Sequence, residues 1–270
     1  MSGRTGPPQG SPRRLGQNFL ADPNLLDAIV REAALTPDDV VLEVGGGGGA
    51  LTERLAPGVR WLHVIEVDKR LRDGLESLVE EAGGGVGLVW GDAMKVDLKR
   101  LAPAPSKMVS NLPYSIATPL LVRTIAELPS LESWVVMVQR EIADRLRAEP
   151  GTREYGSPSV LVQLACEVTM LRTVDPAVFV PRPRVGSALL RLRRTSPSAS
   201  DDLAALIRLA FAHRRKSLAR SLELARAGSL EPAHAALESI GKPPDARAET
   251  LSPAEFERFA RALADRRKGS

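Results

Sequence analysis

Residues 40–49 have the sequence VVLEVGGGGG, in which a short apolar run ends in five consecutive glycines. A run of this length that is rich in β-branched residues is typical of a buried strand. Glycine lets the backbone turn sharply and approach a ligand closely, and a helix that begins after it offers unpaired N–H groups. The stretch therefore predicts a strand, a loop and a helix. The glycines alone fit a dinucleotide site, another nucleotide-like ligand or a loop without a ligand.

Strand and helix patterns alternate through the first two-thirds of the chain. Further strands are predicted at 61–67, 86–90, 107–110 and 134–138, and helices at 50–55, 69–81, 119–128 and 140–147. This alternation predicts an α/β fold, with a Rossmann-like parallel sheet covered by helices on both faces. The apolar stretches 160–174 and 187–192 are expected to extend the sheet.

The remainder of the chain has a different composition. Residues 195–200 (TSPSAS) are typical of a linker, and helical patterns follow at 202–222, 232–240 and 253–264. We therefore predict a flexible basic tail at 1–12, a large domain at 13–195 and a small, all-helical C-terminal domain at 196–270.

The composition excludes several classes of protein. Hydrophobic residues make up 43% of the chain and charged residues 26%, which is typical of a globular protein. No apolar stretch approaches the length of a membrane span, and no secretory signal pattern is present at the start. Cys166 is the single cysteine, and the three histidines lack metal-ligand spacing, so no metal site is expected. We expect a cytoplasmic, monomeric protein without membrane contact.

Polar residues follow the predicted strands that come after the glycine loop. Glu66 ends the second strand, Asp92 follows the third and Asn111 ends the fourth. Ligands of open parallel sheets bind outside the carboxyl ends of the strands. Beside Gly45 and Gly47, a carboxylate at Glu66 could accept both hydroxyls of a ribose, and one at Asp92 could accept an adenine amino group. Each residue could instead cap a helix, but several in succession favour a ligand site.

The tetrapeptide Asn111-Leu112-Pro113-Tyr114 is the candidate catalytic motif. Its groups suit an exocyclic adenine amine as the substrate. Such an amine is a weak nucleophile, because its lone pair is delocalised into the ring. Asn111 offers a side-chain carbonyl for the amine hydrogens, and Leu112 offers a backbone carbonyl whose direction Pro113 fixes. Tyr114 offers a face on which a base can stack. A proline turn after a strand is the alternative interpretation.

These segments resemble the ribosomal RNA adenine dimethyltransferase family, in particular its bacterial small-subunit branch, which confers sensitivity to kasugamycin. The resemblance covers about residues 13–220. Besides Glu66, it rests on LGQNFL (15–20), EVGGGGG (43–49), GDA (91–93), NLPY (111–114), VMVQRE (136–141), YG (155–156), FVPRPRVGS (179–187) and FAHRRKSL (211–218).

The resemblance implies a class I methyltransferase domain that binds S-adenosylmethionine. Asn18 and Leu20 would line the cofactor site together with Gly45, Glu66, Asp92 and Asn111, and Phe179 would stack on the target base opposite Tyr114. The implied substrate is a pair of adjacent adenines in the hairpin loop near the 3′ end of 16S rRNA. Each adenine would receive two methyl groups within an assembling small ribosomal subunit.

Three glycines depart from the family pattern. Gly46 and Gly48 stand where the family more often has proline and a larger residue, which puts the rigidity of the loop in question. Gly186 occupies a position that is usually Asp, which could alter a local cap or a substrate contact.

Positive charge is concentrated between residues 181 and 220. Nine Arg and one Lys outnumber two Asp there, a local charge of +8, whereas the whole chain carries +4, so the rest carries 4 − 8 = −4. Clustering of this kind indicates a nucleic-acid surface, although a solvated Arg-rich face is the alternative. The candidate RNA-binding residues are Arg182, Arg184, Arg214, Arg215 and Lys216. The last three are predicted to lie on one helix of an rRNA-binding domain.

Other functions remain open at this point. The nearest is a large-subunit rRNA adenine N6-methyltransferase of the erythromycin-resistance type, which would share fold, cofactor and chemistry. The segment 111–119 (NLPYSIATP) and the basic stretch near Arg215 favour the small-subunit branch. A non-catalytic ribosome-assembly factor would not need the intact Gly45, Glu66, Asp92 and Asn111. An NAD-dependent dehydrogenase lacks support, since no acid–base pair for hydride transfer is apparent.

Overall fold

The computed structural model describes residues 19–20 and 22–268, with side chains up to residue 266. The chain forms two compact units. The first runs to Ala143 and resumes from Glu167 to Arg194, whereas the second combines Asp144–Cys166 with the residues from Thr195 onward. The predicted division placed all of 13–195 in one domain. The structure differs because 144–166 pack with the C-terminal helices in the second unit.

Nine strands are present in the described part of the chain. They are β1 (Phe19–Leu20), β2 (Val40–Val44), β3 (Trp61–Glu66), β4 (Val86–Trp90), β5 (Lys107–Asn111), β6 (Ser133–Gln139), β7 (Cys166–Val174), β8 (Phe179–Val180) and β9 (Ser187–Arg194). Seven of them form one sheet in the order β4-β3-β2-β5-β6-β9-β7, and β1 pairs with β8 in a separate antiparallel ribbon.

The predicted Rossmann-like sheet is confirmed. Neighbouring strands from β4 to β6 run parallel, so their carboxyl ends lie at one edge. All five residues of β2 are buried, and because successive side chains point to opposite faces, both faces of the sheet are covered there. The strand β9 is antiparallel to β6, a direction that its apolar run did not indicate.

Helices follow most of these strands. Up to residue 147 they are α1 (Pro23–Ala33), α2 (Thr52–Leu55), α3 (Arg72–Glu81), α4 (Ala117–Glu127) and α5 (Arg140–Arg147). Asp22 caps α1 by accepting a hydrogen bond from Leu25 N, and Pro23 occupies its first turn. Each predicted helix of this region is confirmed, with bounds that shift by a few residues.

The predicted strand at 160–174 is wrong in its first part. Residues Ser157–Ala165 form a helix, α6, and only Cys166–Val174 form the strand β7. The helix begins after Gly156, whose N–H donates to Ser159 Oγ at 3.0 Å, with Pro158 in the first turn. A continuous apolar run does not separate a buried helix from a buried strand, which is why the pattern failed here.

The second unit also contains α7 (Asp201–Phe211), α8 (Leu218–Ala225), α9 (Leu230–Ser239) and α10 (Pro253–Lys268). The single helix predicted at 202–222 is wrong, since the chain turns between α7 and α8. Ser221 Oγ donates to Leu209 O at 2.9 Å and accepts from His213 N at 3.3 Å, which satisfies the end of α7. Ser217 then caps α8.

Candidate active site

A cavity of about 240 Å³ lies at the carboxyl ends of β2, β3, β4 and β5. This is the edge of an open parallel sheet at which ligands bind. The lining residues come from the glycine loop, the ends of the next strands and the segment after β5. They are Phe19, Val44, Gly45, Gly47, Ile65, Glu66, Val67, Gly91, Asp92, Ala93, Asn111, Leu112, Pro113, Tyr114, Ser115 and Ile116.

The glycine loop requires glycine for two different reasons. Gly45 and Gly47 have φ angles of +84° and +57°, a backbone conformation that side chains disfavour. At Gly46 an added Cβ would come within 2.6 Å of Val64 Cγ1, so the backbone there lies directly on β3. Gly48 has open space around it. Of Gly46 and Gly48, the two positions in this loop that depart from the family pattern, only Gly48 leaves room for a larger side chain without a shift.

Glu66, at the end of β3, accepts a hydrogen bond from the glycine loop. Its side chain is buried, and its Oε2 accepts from Gly47 N at 3.0 Å. Oε1 accepts from Val67 N at 2.9 Å and from Asp68 N at 2.8 Å. A carboxylate has about four acceptor positions. Three are used here, and the group still lines the cavity as predicted.

Asp92 is placed by a short turn after β4. Its Oδ1 accepts from Met94 N at 2.9 Å, which fixes the orientation of the carboxylate. Oδ2 lies 3.9 Å from Lys95 Nζ, and the side chain is 39% exposed. Asp92 therefore borders the cavity with one oxygen already committed to the turn and the other accessible to a donor.

The segment from Asn111 to Tyr114 lines the same cavity. Leu112 N donates to Met137 O on β6 at 3.1 Å, which extends the sheet pairing by one residue beyond β5. Pro113 O accepts from Ile116 N at 3.1 Å, so the chain turns directly into α4. The structure thus brings the predicted catalytic motif beside Gly45, Gly47, Glu66 and Asp92.

Tyr114 has a partner that sequence analysis missed. Its Oη lies 2.6 Å from Ser187 Oγ, and Ser187 is buried at the first position of β9. Burial of the phenol raises the pKa of Tyr114, and the hydrogen bond with Ser187 opposes that rise. Ser187 ends the FVPRPRVGS segment, which was the available signal, but nothing in the sequence indicated a contact over 73 positions.

Two predicted site residues lie elsewhere. Leu20 is 6% exposed and Phe179 is 2% exposed, and both belong to the hydrophobic core, paired across β1 and β8. Phe19 lines the cavity instead, with ring atoms 3.3 Å from the position of a Cβ on Gly47. Neighbouring strand residues face opposite sides, so Phe19 and Leu20 cannot both face the cavity. Asn18 lies outside the described residues.

Glu43 is a second group that sequence analysis did not single out. It is fully buried in β2, just before the glycine loop, and its Oε2 accepts from Thr52 Oγ1 at 2.6 Å. Burial raises the pKa of Glu43 to about 8; the hydrogen bond from Thr52 opposes the rise, and the charge of Glu66 adds to it. The contact ties the strand before the loop to the helix after it.

The candidate RNA-binding residues fall into three groups. In the first unit, Arg184 is exposed, and Arg182 is exposed with Asp175 Oδ1 at 3.7 Å. In the second unit, Arg215 and Lys216 are exposed, and their side chains make no ion pair or hydrogen bond with the residues that the structure describes. They lie in the turn between α7 and α8 and not on a helix.

Arg214 differs from its two neighbours. Its guanidinium donates to Arg153 O at 2.9 Å and to Tyr155 O at 3.0 Å, and it lies 3.4 Å from Glu249 Oε2. Arg214 therefore holds the first segment of the second unit against the rest of that unit.

Among residues 19–20 and 22–268, no helix is long and apolar enough to cross a membrane.

A parallel sheet with antiparallel β9 beside β6, and with a cavity at the carboxyl ends of the parallel strands, is the arrangement of a class I methyltransferase. The family model described as ribosomal RNA adenine dimethylase matches residues 11–265, and the chain belongs to that family. This confirms the family and the type of enzyme predicted from the sequence.

Two relatives named ribosomal RNA small subunit methyltransferase A are similar over nearly their full lengths. The protein of Thermobifida fusca is 41% identical, over 92% of this chain and 88% of its own. The protein of Rubrobacter xylanophilus is 43% identical, over 95% of each chain.

Two solved structures are similar along both units. A dimethyladenosine transferase from Plasmodium falciparum has a TM-score of 0.78 at 26% identity, covering 93% of this chain and 98% of its own. The 23S rRNA methyltransferase ErmE has a TM-score of 0.64 at 29% identity, covering 92% of this chain and 100% of its own.

Proposed function

We propose that this protein uses S-adenosylmethionine to dimethylate N6 of two adjacent adenines in the 3′-terminal hairpin loop of 16S rRNA. It would act as a cytoplasmic monomer on the assembling small ribosomal subunit. The observation that carries the proposal is the cavity itself, where the glycine loop, two carboxylates and the Asn111–Tyr114 motif meet.

The residues of the cavity fit this cofactor. Gly45 and Gly47 leave the backbone open to close approach, and added side chains there would meet Pro113 and Phe19 at 3.3 Å. Glu66 would accept the ribose hydroxyls, and Asp92 would accept the adenine amino group. When bound, S-adenosylmethionine supplies an electrophilic methyl group on a sulfonium. The remaining chemistry is the presentation of the amine.

The Asn111–Tyr114 segment can present an adenine amine without any group that titrates. In the first transfer, the carbonyl of the Asn111 side chain and the backbone carbonyl of Leu112 would accept the two amine hydrogens, which localises the nitrogen lone pair. The new N–C bond would replace the bond between the methyl group and sulfur, and the proton that the nitrogen loses would pass to water. Tyr114 would hold the base by stacking on its ring. Since Leu112 N donates a hydrogen bond to Met137 O on β6, the backbone carbonyl of Leu112 is rigidly placed.

The small-subunit substrate is favoured over the large-subunit one by sequence identity. The relatives named for the small subunit are 41% and 43% identical to this chain, against 29% for ErmE. ErmE nevertheless shares the fold over its whole length, so an activity of its type is the second candidate.

One experiment separates the two. The protein is incubated with a labelled methyl donor and either purified small subunits that lack the modification or protein-free 23S rRNA. Mass spectrometry of nuclease digests should find N6,N6-dimethyladenine in two adjacent positions of 16S rRNA only. Methylation of the 23S rRNA alone would establish the second candidate. Cofactor binding without methylation of either RNA would identify a non-catalytic assembly factor.

We further propose that the second unit contributes to rRNA binding. Arg215 and Lys216 extend into solvent from the turn after α7, as a phosphate-binding pair would. Arg182 and Arg184 offer similar cations on the first unit. Arg214, which sequence analysis grouped with them, is committed to backbone carbonyls of its own unit. We therefore assign it a structural role.

A further inference from the structure

Arg123 on α4 makes an unusually complete set of contacts. Its Nη1 donates to Ala93 O at 2.7 Å and its Nη2 to Val96 O at 2.8 Å. Nε and Nη2 also donate to the two carboxylate oxygens of Glu127, at 2.8 and 2.9 Å. The side chain is only 16% exposed. A planar guanidinium held by a bidentate carboxylate is a rigid donor, which a lysine cannot reproduce.

The two carbonyls belong to the turn that places Asp92. Lys95 N and Val96 N both donate to Asp92 O, at 2.7 and 2.9 Å, and Met94 N donates to its side chain. The turn is also closely packed, because a Cβ on Gly91 would lie 2.9 Å from Val96 Cγ2. Arg123 thus donates hydrogen bonds to the turn at two points, Ala93 directly after Asp92 and Val96 at the end of the turn.

The helix that carries Arg123 begins three residues after Tyr114. The Arg123 guanidinium therefore connects two walls of the cavity. One wall is the turn after β4, and the other is the segment that leads from the Asn111–Tyr114 motif into α4. In the sheet, β4 and β5 are separated by β3 and β2, so no backbone pairing joins these two walls directly.

We propose that Arg123 is a positioning residue for the adenine end of the cofactor pocket. It acts through the turn at 92–96 and fixes the direction in which the Asp92 carboxylate meets the adenine amino group. The inference rests on the proposed function, in which Asp92 accepts that amino group.

Calorimetry with two ligands tests this role. S-adenosylhomocysteine carries the adenine amino group, whereas S-inosylhomocysteine has a carbonyl oxygen in its place, and that oxygen cannot donate to Asp92. We expect Arg123→Gln to weaken binding of the adenine ligand about tenfold, the equivalent of one charge-assisted hydrogen bond, and to leave binding of the inosine ligand nearly unchanged. In the double variant with Asp92→Ala, the two losses should not add.

Arg194→Gln is the matched control. Arg194 donates to Leu131 O at 2.6 Å and to Ile125 O and Leu128 O at 3.1 Å, so it grips the far end of α4, away from the cavity. This variant should lose thermal stability without any ligand preference. If Arg123→Gln does not fold, Arg123→Lys, which keeps the charge but not the fork, serves in its place.

The outcomes separate the two proposals. If the Arg123 variants weaken both ligands by one factor, or if their losses add fully to that of Asp92→Ala, then Arg123 only stabilises the fold and the inference is overturned. If Asp92→Ala itself does not distinguish the two ligands, the cofactor assignment of Asp92 is wrong instead.

Discussion

Tyr114 Oη and Ser187 Oγ lie 2.6 Å apart, which joins the cavity wall to the first residue of β9. The tyrosine ring is thereby held at both ends, by the backbone after Pro113 and by the buried hydroxyl of Ser187 at the start of β9. A ring that is fixed in this way presents one defined plane to an incoming base. The contact therefore fixes the Tyr114 side chain, which belongs to a loop, against the sheet.

The first prediction concerns this pair. Tyr114→Phe keeps the ring and loses the hydrogen bond, so the methylation rate should fall modestly, about three- to tenfold for roughly 1 kcal/mol. Ser187→Ala should cause the same loss, and the double variant should be no worse than either. Tyr114→Ala should lose more, because base stacking is worth about 1–3 kcal/mol. Single-turnover rates on small subunits measure all four.

Thr124→Val is the control for the Tyr114 series, since Thr124 Oγ1 accepts a hydrogen bond from buried Trp134 Nε1 at 3.1 Å away from the cavity. It should affect stability and leave the rate unchanged. Equal activity losses in Tyr114→Phe and Tyr114→Ala would show that the hydroxyl, and not the stacked ring, carries the function.

The second prediction concerns Glu66. Both of its oxygens accept backbone N–H groups, so the amide nitrogen of Glu66→Gln must face at least one donor. We expect this variant and Glu66→Ala to bind S-adenosylmethionine at least tenfold more weakly, a loss of about 1.5–3 kcal/mol. Calorimetry provides the measurement. Asp97→Asn, which alters a similar cap outside the cavity, should bind normally. Unchanged affinity in both Glu66 variants would contradict the assignment.

The third prediction follows from the pKa of Glu43, which burial raises from 4.5 to about 8. The folded protein then binds a proton that the unfolded chain releases between these two pH values. The free energy of unfolding should therefore fall as the pH rises through this range, by at most about 1.4 kcal/mol for each pH unit. Glu43→Gln keeps an acceptor for Thr52 and has no proton to lose.

Urea unfolding of parent and Glu43→Gln across this range provides the measurement. The stability of the variant relative to the parent should rise steadily with pH. Parallel curves would mean that the Glu43 carboxyl has the same pKa in the folded and unfolded states.

The fourth prediction concerns the turn between α7 and α8. Replacing Arg215 and Lys216 with Glu should abolish binding to small subunits and leave S-adenosylmethionine affinity intact. Replacing both with Ala should reduce the slope of log K against log salt by roughly 1.4–1.8, if each cation contacts one phosphate. Filter binding over a range of salt concentrations gives this slope.

Arg214→Gln is the comparison for this turn. It should lower the melting temperature, since Arg153 O and Tyr155 O lose their donor. If the double Glu variant binds small subunits normally at low salt, recognition has to be sought at Arg182 and Arg184 on the first unit.

The sheet and the cavity were largely predictable from the sequence. Apolar runs located β2 to β6, and polar residues at their ends located Glu66, Asp92 and Asn111, because parallel strands bring their carboxyl ends together. Two of the failures share a cause, which is that they depend on contacts between distant positions. The break after Phe211 depends on Ser221, and the burial of Phe179 depends on its pairing with Leu20.

The second unit is assembled from two stretches that the chain supplies at different times. A ribosome making this protein releases 144–166 first, then the strands β7 to β9 of the other unit, and only afterwards the helices against which 144–166 pack. Folding of the second unit therefore cannot be completed in the order of synthesis. Until α7 has emerged, Tyr155 lacks Phe211, the ring that it contacts in the finished protein at a centroid distance of 6.1 Å. A protease cut in the segment 195–200 would separate these partners as well, so neither fragment would contain a complete second unit.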